Sequence, residues 1–130
     1  EWRVGVIGVG RLGRAVLSYP GFTPEGFNVV SAFDSDPRQV GQMVGGIMVQ
    51  PMHRLRDVLR SENIQICIVA VPADVAQAVV DELVACDVRA IVNYAPIAPQ
   101  VPPHVKIRSV DPIAALQSMT YHLSTSEETS

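Results

Sequence analysis

The sequence predicts a doubly wound α/β domain built on a mostly parallel sheet. Three observations predict it. Gly8-Val9-Gly10-Arg11-Leu12-Gly13 follows directly on the apolar run Val4-Gly5-Val6-Ile7 and opens a helical pattern. Valine- and isoleucine-rich runs then alternate with helical patterns nearly from end to end, as βαβ units require. Those runs are near-continuous rather than alternating, which marks strands covered on both faces.

Strands are expected at residues 3–7, 28–33, 47–49, 65–71, 90–94 and 106–110, in the spatial order 3-2-1-4-5-6. Helices are expected at residues 11–18, 52–62, 74–86 and 112–123. A shorter helix is expected after Asp36-Pro37, where aspartate caps and proline takes the first helical position. In the third helix Val75, Val79, Leu83 and Cys86 form an apolar stripe, with Asp81 and Glu82 away from its centre. Gly45-Gly46 and the proline-rich residues 95–104 are connectors. The chain divides into a Rossmann domain over residues 1–112 and a C-terminal helix with a polar tail over residues 113–130.

Composition narrows the function classes. The 130 residues suit one domain, and 48% hydrophobic with 5% aromatic content suits an aliphatic core. Net charge is −3, and the ten cations are scattered rather than gathered into a basic stripe. This chain alone is therefore expected to bind nucleic acid poorly. Apolar runs are too short to span a bilayer and no secretory segment is evident, so a cytoplasmic protein is expected, with no membrane partner. Cys67 and Cys86 have no metal spacing, and Cys67 sits inside an apolar run as a small core residue. Neither the histidines (His53, His104, His122) nor Lys106 falls where a hydride-transfer base is expected, and no nucleophile–base pair or metal cluster stands out.

The glycine segment carries the chemistry. Its first glycine permits a sharp turn, its second lets backbone approach a pyrophosphate, and its third lets helix and strand pack closely. Val9, Arg11 and Leu12 complete the loop. Asp34 ends the second strand, twenty-one residues beyond Gly13. There an acid accepts hydrogen bonds from adenosine ribose hydroxyls and repels a 2′-phosphate, which favours NAD(H) over NADP(H). Ser35 follows it, and Arg38 keeps the phosphorylated cofactor open. Val71-Pro72 and Asn93-Tyr94 end later strands on the same rim, where Tyr94 is a wall for the nicotinamide or simply core. Tyr19 and Asp111 end the first helix and follow the last strand. If they converge, a phenol and a carboxylate face the nicotinamide; otherwise Asp111 is the cap of the final helix.

Six segments occur in order along nearly the whole chain: Gly8 to Gly13, Tyr19-Pro20-Gly21-Phe22, Phe33-Asp34-Ser35-Asp36-Pro37, Val71-Pro72-Ala73 with Ala76-Gln77, Asn93-Tyr94-Ala95-Pro96 and Val110-Asp111. In this the chain resembles the Rex family of redox-sensing transcriptional repressors. The resemblance implies the NADH/NAD+ sensing half of a bacterial homodimer, with operator DNA bound by an N-terminal winged-helix domain outside this sequence. It places Gly8 to Gly13 on the pyrophosphate, Asp34 on the ribose, and Tyr19 with Asp111 near the nicotinamide. Pro112 stands where the family often has phenylalanine or leucine.

The last helix carries Ile113, Leu116, Met119, Thr120 and Leu123 on one side. It packs on its own sheet or, as the resemblance implies, is a dimerisation helix exchanged with a partner. Two other classes share the glycine turn: an NAD-dependent oxidoreductase fragment and a CoA-binding module of an acyl-CoA ligase. Little chain remains after the sixth strand for a substrate domain, so a sensor rather than an enzyme is expected.

Overall fold

The computed structural model describes residues 1–110. The final helix expected at 112–123, together with Asp111 and Pro112, lies outside the described residues. A single sheet organises the rest. Its strands are β1 (Trp2–Ile7), β2 (Phe27–Asp34), β3 (Met43–Val44), β4 (Ile47–Pro51), β5 (Ile66–Val69), β6 (Ala90–Asn93) and β7 (Lys106–Ser109). Their order is β3-β4-β2-β1-β5-β6-β7. Every pairing except β3 with β4 is parallel. The six expected strands therefore stand in the expected order, and β3 adds a two-residue antiparallel edge that its shortness hid. Gly45 and Gly46 both hold positive φ and make the turn between β3 and β4.

Three helices cover the sheet: α1 (Arg11–Ser18), α2 (Leu55–Ser61) and α3 (Ala73–Ala85). Both faces are apolar. Ile7, Phe33, Cys67, Val69 and Ile91 pack with Leu55 and Leu59 of α2 and Val80 and Leu83 of α3. Val4, Val6, Ala32, Val49 and Ile68 pack on the other face with Val16 and Leu17 of α1. Since β1 pairs with β2 on one side and β5 on the other, strand order reverses beside β1. The carboxyl ends of the strands diverge there and open a crevice.

Three expectations are corrected. No helix follows Asp36-Pro37: residues 37–40 form a turn. Asp36 still accepts a hydrogen bond from the Arg38 backbone N–H at 2.9 Å, but Gly41 holds φ of +88° and turns the chain back toward β4 before a second helical turn forms. The segment expected as one helix from Met52 begins as a 3₁₀ turn, Met52–Arg54, and is α-helical only from Leu55. In α3 the buried residues are Ala76, Val80 and Leu83, whereas Val75 is 42% exposed. The face toward the sheet is thus rotated from the expected stripe, and Val75 and Val79 turn to the crevice.

Cys67 and Cys86 are both buried free thiols. Burial pushes the Cys67 thiol up to about 12. An unfolded thiol ionises near 8.5, so the unfolded chain loses that proton first as pH rises. Stability therefore falls between about pH 9 and 12, at up to about 1.4 kcal/mol per pH unit from this thiol. Urea titrations across that range test this: Cys67→Ala is expected to flatten the decline. In the folded chain at pH 8 neither cysteine is expected to react quickly with a thiol reagent.

Candidate dinucleotide site

β1 delivers the chain into the glycine loop at the point of strand reversal. Gly8 has φ of +97°, and its N–H donates to the Phe33 carbonyl at 2.8 Å. A Cβ at Gly8 would collide with the Ala70 carbonyl oxygen, and one at Gly13 with the Gly8 carbonyl oxygen. A Cβ at Gly10 would meet nothing within 4 Å among the described residues. The first and third glycines thus serve close packing of backbone, while the second faces open space. Gly10 is also the N-cap of α1, and among the described residues it has no side-chain cap and no acid in the first turn. The first N–H groups of α1 have no acceptor within the helix and concentrate partial positive charge at that opening. This is the cradle that a diphosphate requires, so the residues present fit a dinucleotide.

Asp34 closes β2 beside the loop. Its Oδ2 accepts the Val9 N–H at 2.7 Å and its Oδ1 accepts the Asp36 N–H at 2.8 Å. One carboxylate therefore joins the loop after β1 to the loop after β2. Each oxygen keeps lone-pair capacity for one further donor, which suits a vicinal pair of ribose hydroxyls.

Gly8, Gly10, Arg11, Leu12, Asp34, Ser35, Val71 and Pro72 line a common cleft of about 660 Å³. Met52, Val75 and Val79 complete an apolar wall, and Asp36 and Gln39 add polar edge. Sequence reasoning does not assign these five to the site. The apolar surplus of α3 was the available signal, since Val75 is exposed and Val79, one turn on, is only partly buried against the core. Near the rim, the Arg14 guanidinium donates to the side-chain carbonyls of Gln39 and Gln42. It ties α1 to the loop that follows Asp36. The Asp36 carboxylate pairs with the Arg38 guanidinium at 3.0 Å and is held below the ordinary carboxylate range by that hydrogen bonding.

The remaining predicted residues lie elsewhere. Val9 and Gly13 are buried behind the loop. Asn93 is fully buried; its amide N–H groups point to the Ala95 and Ile97 carbonyls, and its Oδ1 accepts the Ala95 N–H at 3.1 Å. It shapes the loop after β6. Tyr94 is half-buried against the α1 face of the sheet. Tyr19 is 58% exposed and stacks edge-on against Phe22 with ring centroids 4.9 Å apart. Both rings line a second, apolar groove of about 380 Å³ floored by Val4, Ile66, Ile68 and Val92. Asp111 lies outside the described residues. Among the described residues no group of three metal-ligating side chains occurs, and no helix is long and apolar enough to cross a membrane.

Fold, switch-point crevice and glycine cradle define a dinucleotide-binding α/β domain, and the chain belongs to the CoA-binding domain family, whose model matches residues 1–97. Its curated relatives carry a more specific name. The redox-sensing transcriptional repressor Rex of Chloroflexus aurantiacus is 45% identical over 128 residues, covering 98% of this chain and 60% of that protein. Among solved structures, a Rex-family repressor, RSP, in complex with β-NADH superposes with a TM-score of 0.91 at 32% identity, covering 98% of this chain and 62% of that one. RSP with β-NAD+ and operator DNA gives 0.88 at 32% identity, over 98% and 59% of the two chains. The Rex resemblance carried by the six motifs thus holds across the chain, which spans about 60% of the length of the curated relatives it matches.

The glycines make separable predictions. Gly10→Ala is expected to leave the thermal midpoint nearly unchanged. Gly13→Ala and Gly8→Ala are expected to lower stability by 2 kcal/mol or more, because backbone must shift. Thermal melts of the three variants check this ordering.

Proposed function

We propose that the chain is the NADH/NAD+ sensing domain of a redox-responsive transcriptional repressor, acting as a regulator and not as an enzyme. The observation that carries this reading is Asp34, a carboxylate braced across an open glycine cradle with lone pairs left for ribose hydroxyls. The Rex relatives, and the RSP structures with β-NADH and with β-NAD+ and operator DNA, support it.

On this reading the α1 amides and Gly10 hold the diphosphate, Asp34 and Ser35 hold the adenosine ribose, and Met52, Val71, Val75 and Val79 hold the adenine. Pro72 ends the shelf beside it. When bound, the nicotinamide supplies the signal, since its ring loses one positive charge on reduction. Tyr19, Asn93, Tyr94 and Asp111 are assigned to the nicotinamide end: Asn93 by shaping its loop, Tyr19 and Asp111 by answering the charge. A ligand shifts a two-state equilibrium only by its difference in affinity for the two states, and couplings of about 1–3 kcal/mol are typical. The reduced form favours the dimer geometry that cannot grip operator DNA. That contact belongs to a winged-helix domain outside this sequence, in a protein of the cytoplasm.

The dimer is assigned to residues 113–123. Ile113, Leu116, Met119 and Leu123 recur in that segment at a helical spacing, and the groove beneath Tyr19 and Phe22 is an apolar surface of matching character. At micromolar concentration the chain is expected to elute as a dimer, and a chain ending at Pro112 as a monomer. Monomeric elution of the full chain would overturn the assignment.

Calorimetry with NADH, NAD+ and CoA tests the ligand. NADH is expected to bind, and CoA neither to bind comparably nor to compete. Asp34→Ala is expected to weaken NADH by roughly 10-fold to 100-fold, the worth of hydrogen bonds to a charged group. CoA binding that displaces NADH and ignores Asp34→Ala would favour a CoA module instead. Steady hydride transfer by the full-length protein would favour an oxidoreductase.

A further inference from the structure

Resting on the reading that NAD(H) occupies this cleft, we propose that Asp36 sets cofactor choice by withholding the Arg38 guanidinium from the adenosine ribose, so that dinucleotides bearing a 2′-phosphate are rejected. Arg38 is the cation nearest in sequence to the ribose-binding acid, and a guanidinium there is the natural partner for a phosphate. Left free, it would admit NADPH.

The structure shows it engaged. The Asp36 carboxylate accepts from the Arg38 backbone N–H at 2.9 Å, from Nε at 3.2 and 3.3 Å and from one terminal nitrogen at 3.0 Å. The donor edge that would grip a phosphate in two-pronged fashion is thus turned onto a carboxylate two residues away. Asp36 is itself placed by Asp34, which accepts its N–H at 2.8 Å. The ribose ligand and the arginine latch are consequently parts of one turn. Asp36 also lines the cleft, so its charge adds to that of Asp34 in repelling a phosphate. Arg14, another cation beside this loop, is held by Gln39 and Gln42. Arg11 sits at the first position of α1, at the diphosphate end.

An exposed ion pair is weak, and its side chain is 89% exposed at Arg38. The latch therefore needs only to outcompete a phosphate that Asp34 already repels. Removing the Asp36 charge releases the guanidinium and lowers the repulsion together; removing Arg38 as well leaves only the second effect.

Titrate the folded wild type, Asp36→Asn, Arg38→Ala and the double variant with NADH and NADPH by calorimetry. Asp36→Asn is expected to raise the NADPH-to-NADH affinity ratio by about fivefold or more, the upper range for releasing a surface pair. Most of that gain is expected to vanish in the double variant. Arg38→Ala alone is expected to leave NADPH within twofold. An unchanged NADPH-to-NADH ratio in Asp36→Asn, a gain retained in full by the double variant, or a large loss in Arg38→Ala would each overturn the latch. If the wild type binds NADH with NADPH weaker, the underlying reading stands whatever the variants do. If it binds neither, that reading fails and the latch with it.

Discussion

The Gly8 carbonyl oxygen lies where a side chain at position 13 would have to be. That single close approach fixes α1 against the end of β1, and the rest of the site depends on it. Only with the helix drawn in this far do its first amides open on the crevice instead of on solvent. The same turn brings the Val9 N–H to Asp34, so the loop after β2 is registered to the loop after β1 by one carboxylate. The cleft is thus assembled largely from backbone. Side chains trim its edges.

An arrangement of this kind divides the electrostatic work. On the proposed reading a diphosphate is met by helix-end dipoles, which need no flexible cation to be ordered. The same reading leaves charged side chains to discriminate among sugars, with the acids Asp34 and Asp36 in one turn. Arg14, held by Gln39 and Gln42, ties α1 to that turn. The polar contacts near the rim thereby support the geometry that the glycines impose.

Most of the sheet was legible because the strands carry aliphatic runs covered on both sides, and the strand order is the one that a dinucleotide-binding glycine segment after the first strand implies. The glycine segment was legible for a different reason: each glycine answers a steric demand that no other residue meets. Three things were hidden. β3 has two residues and no pattern to detect. The helix after Pro37 had sound capping chemistry, but Gly41 reverses the chain, and tertiary pairing of β4 with β2 decided the outcome. Val75 and Val79 read as core because periodicity reports apolarity and not what the apolar face touches. In α3 the sheet takes Ala76, Val80 and Leu83, while Val75 and part of Val79 line the cleft. Asn93 was read as a rim residue, yet its amide is engaged with its own loop, since a buried polar side chain must satisfy its hydrogen bonds locally.

The described cleft also constrains how a sensor of this design works. Oxidised and reduced cofactors share the adenosine, the diphosphate and both sugars, so every contact in the cleft of about 660 Å³ is available equally to both. A site of equal affinity shifts no equilibrium, however tightly it binds. On the proposed reading, Asp34, the glycine loop and the apolar wall set how much cofactor is bound, and the preference between redox forms belongs beyond them, at the nicotinamide end. Neither Tyr19 nor Tyr94 lines that cleft; both lie on the α1 side of the sheet, Tyr19 in the apolar groove and Tyr94 in the adjoining core. If Tyr19 and Tyr94 serve the nicotinamide end as proposed, affinity and discrimination are built on separate parts of the same sheet.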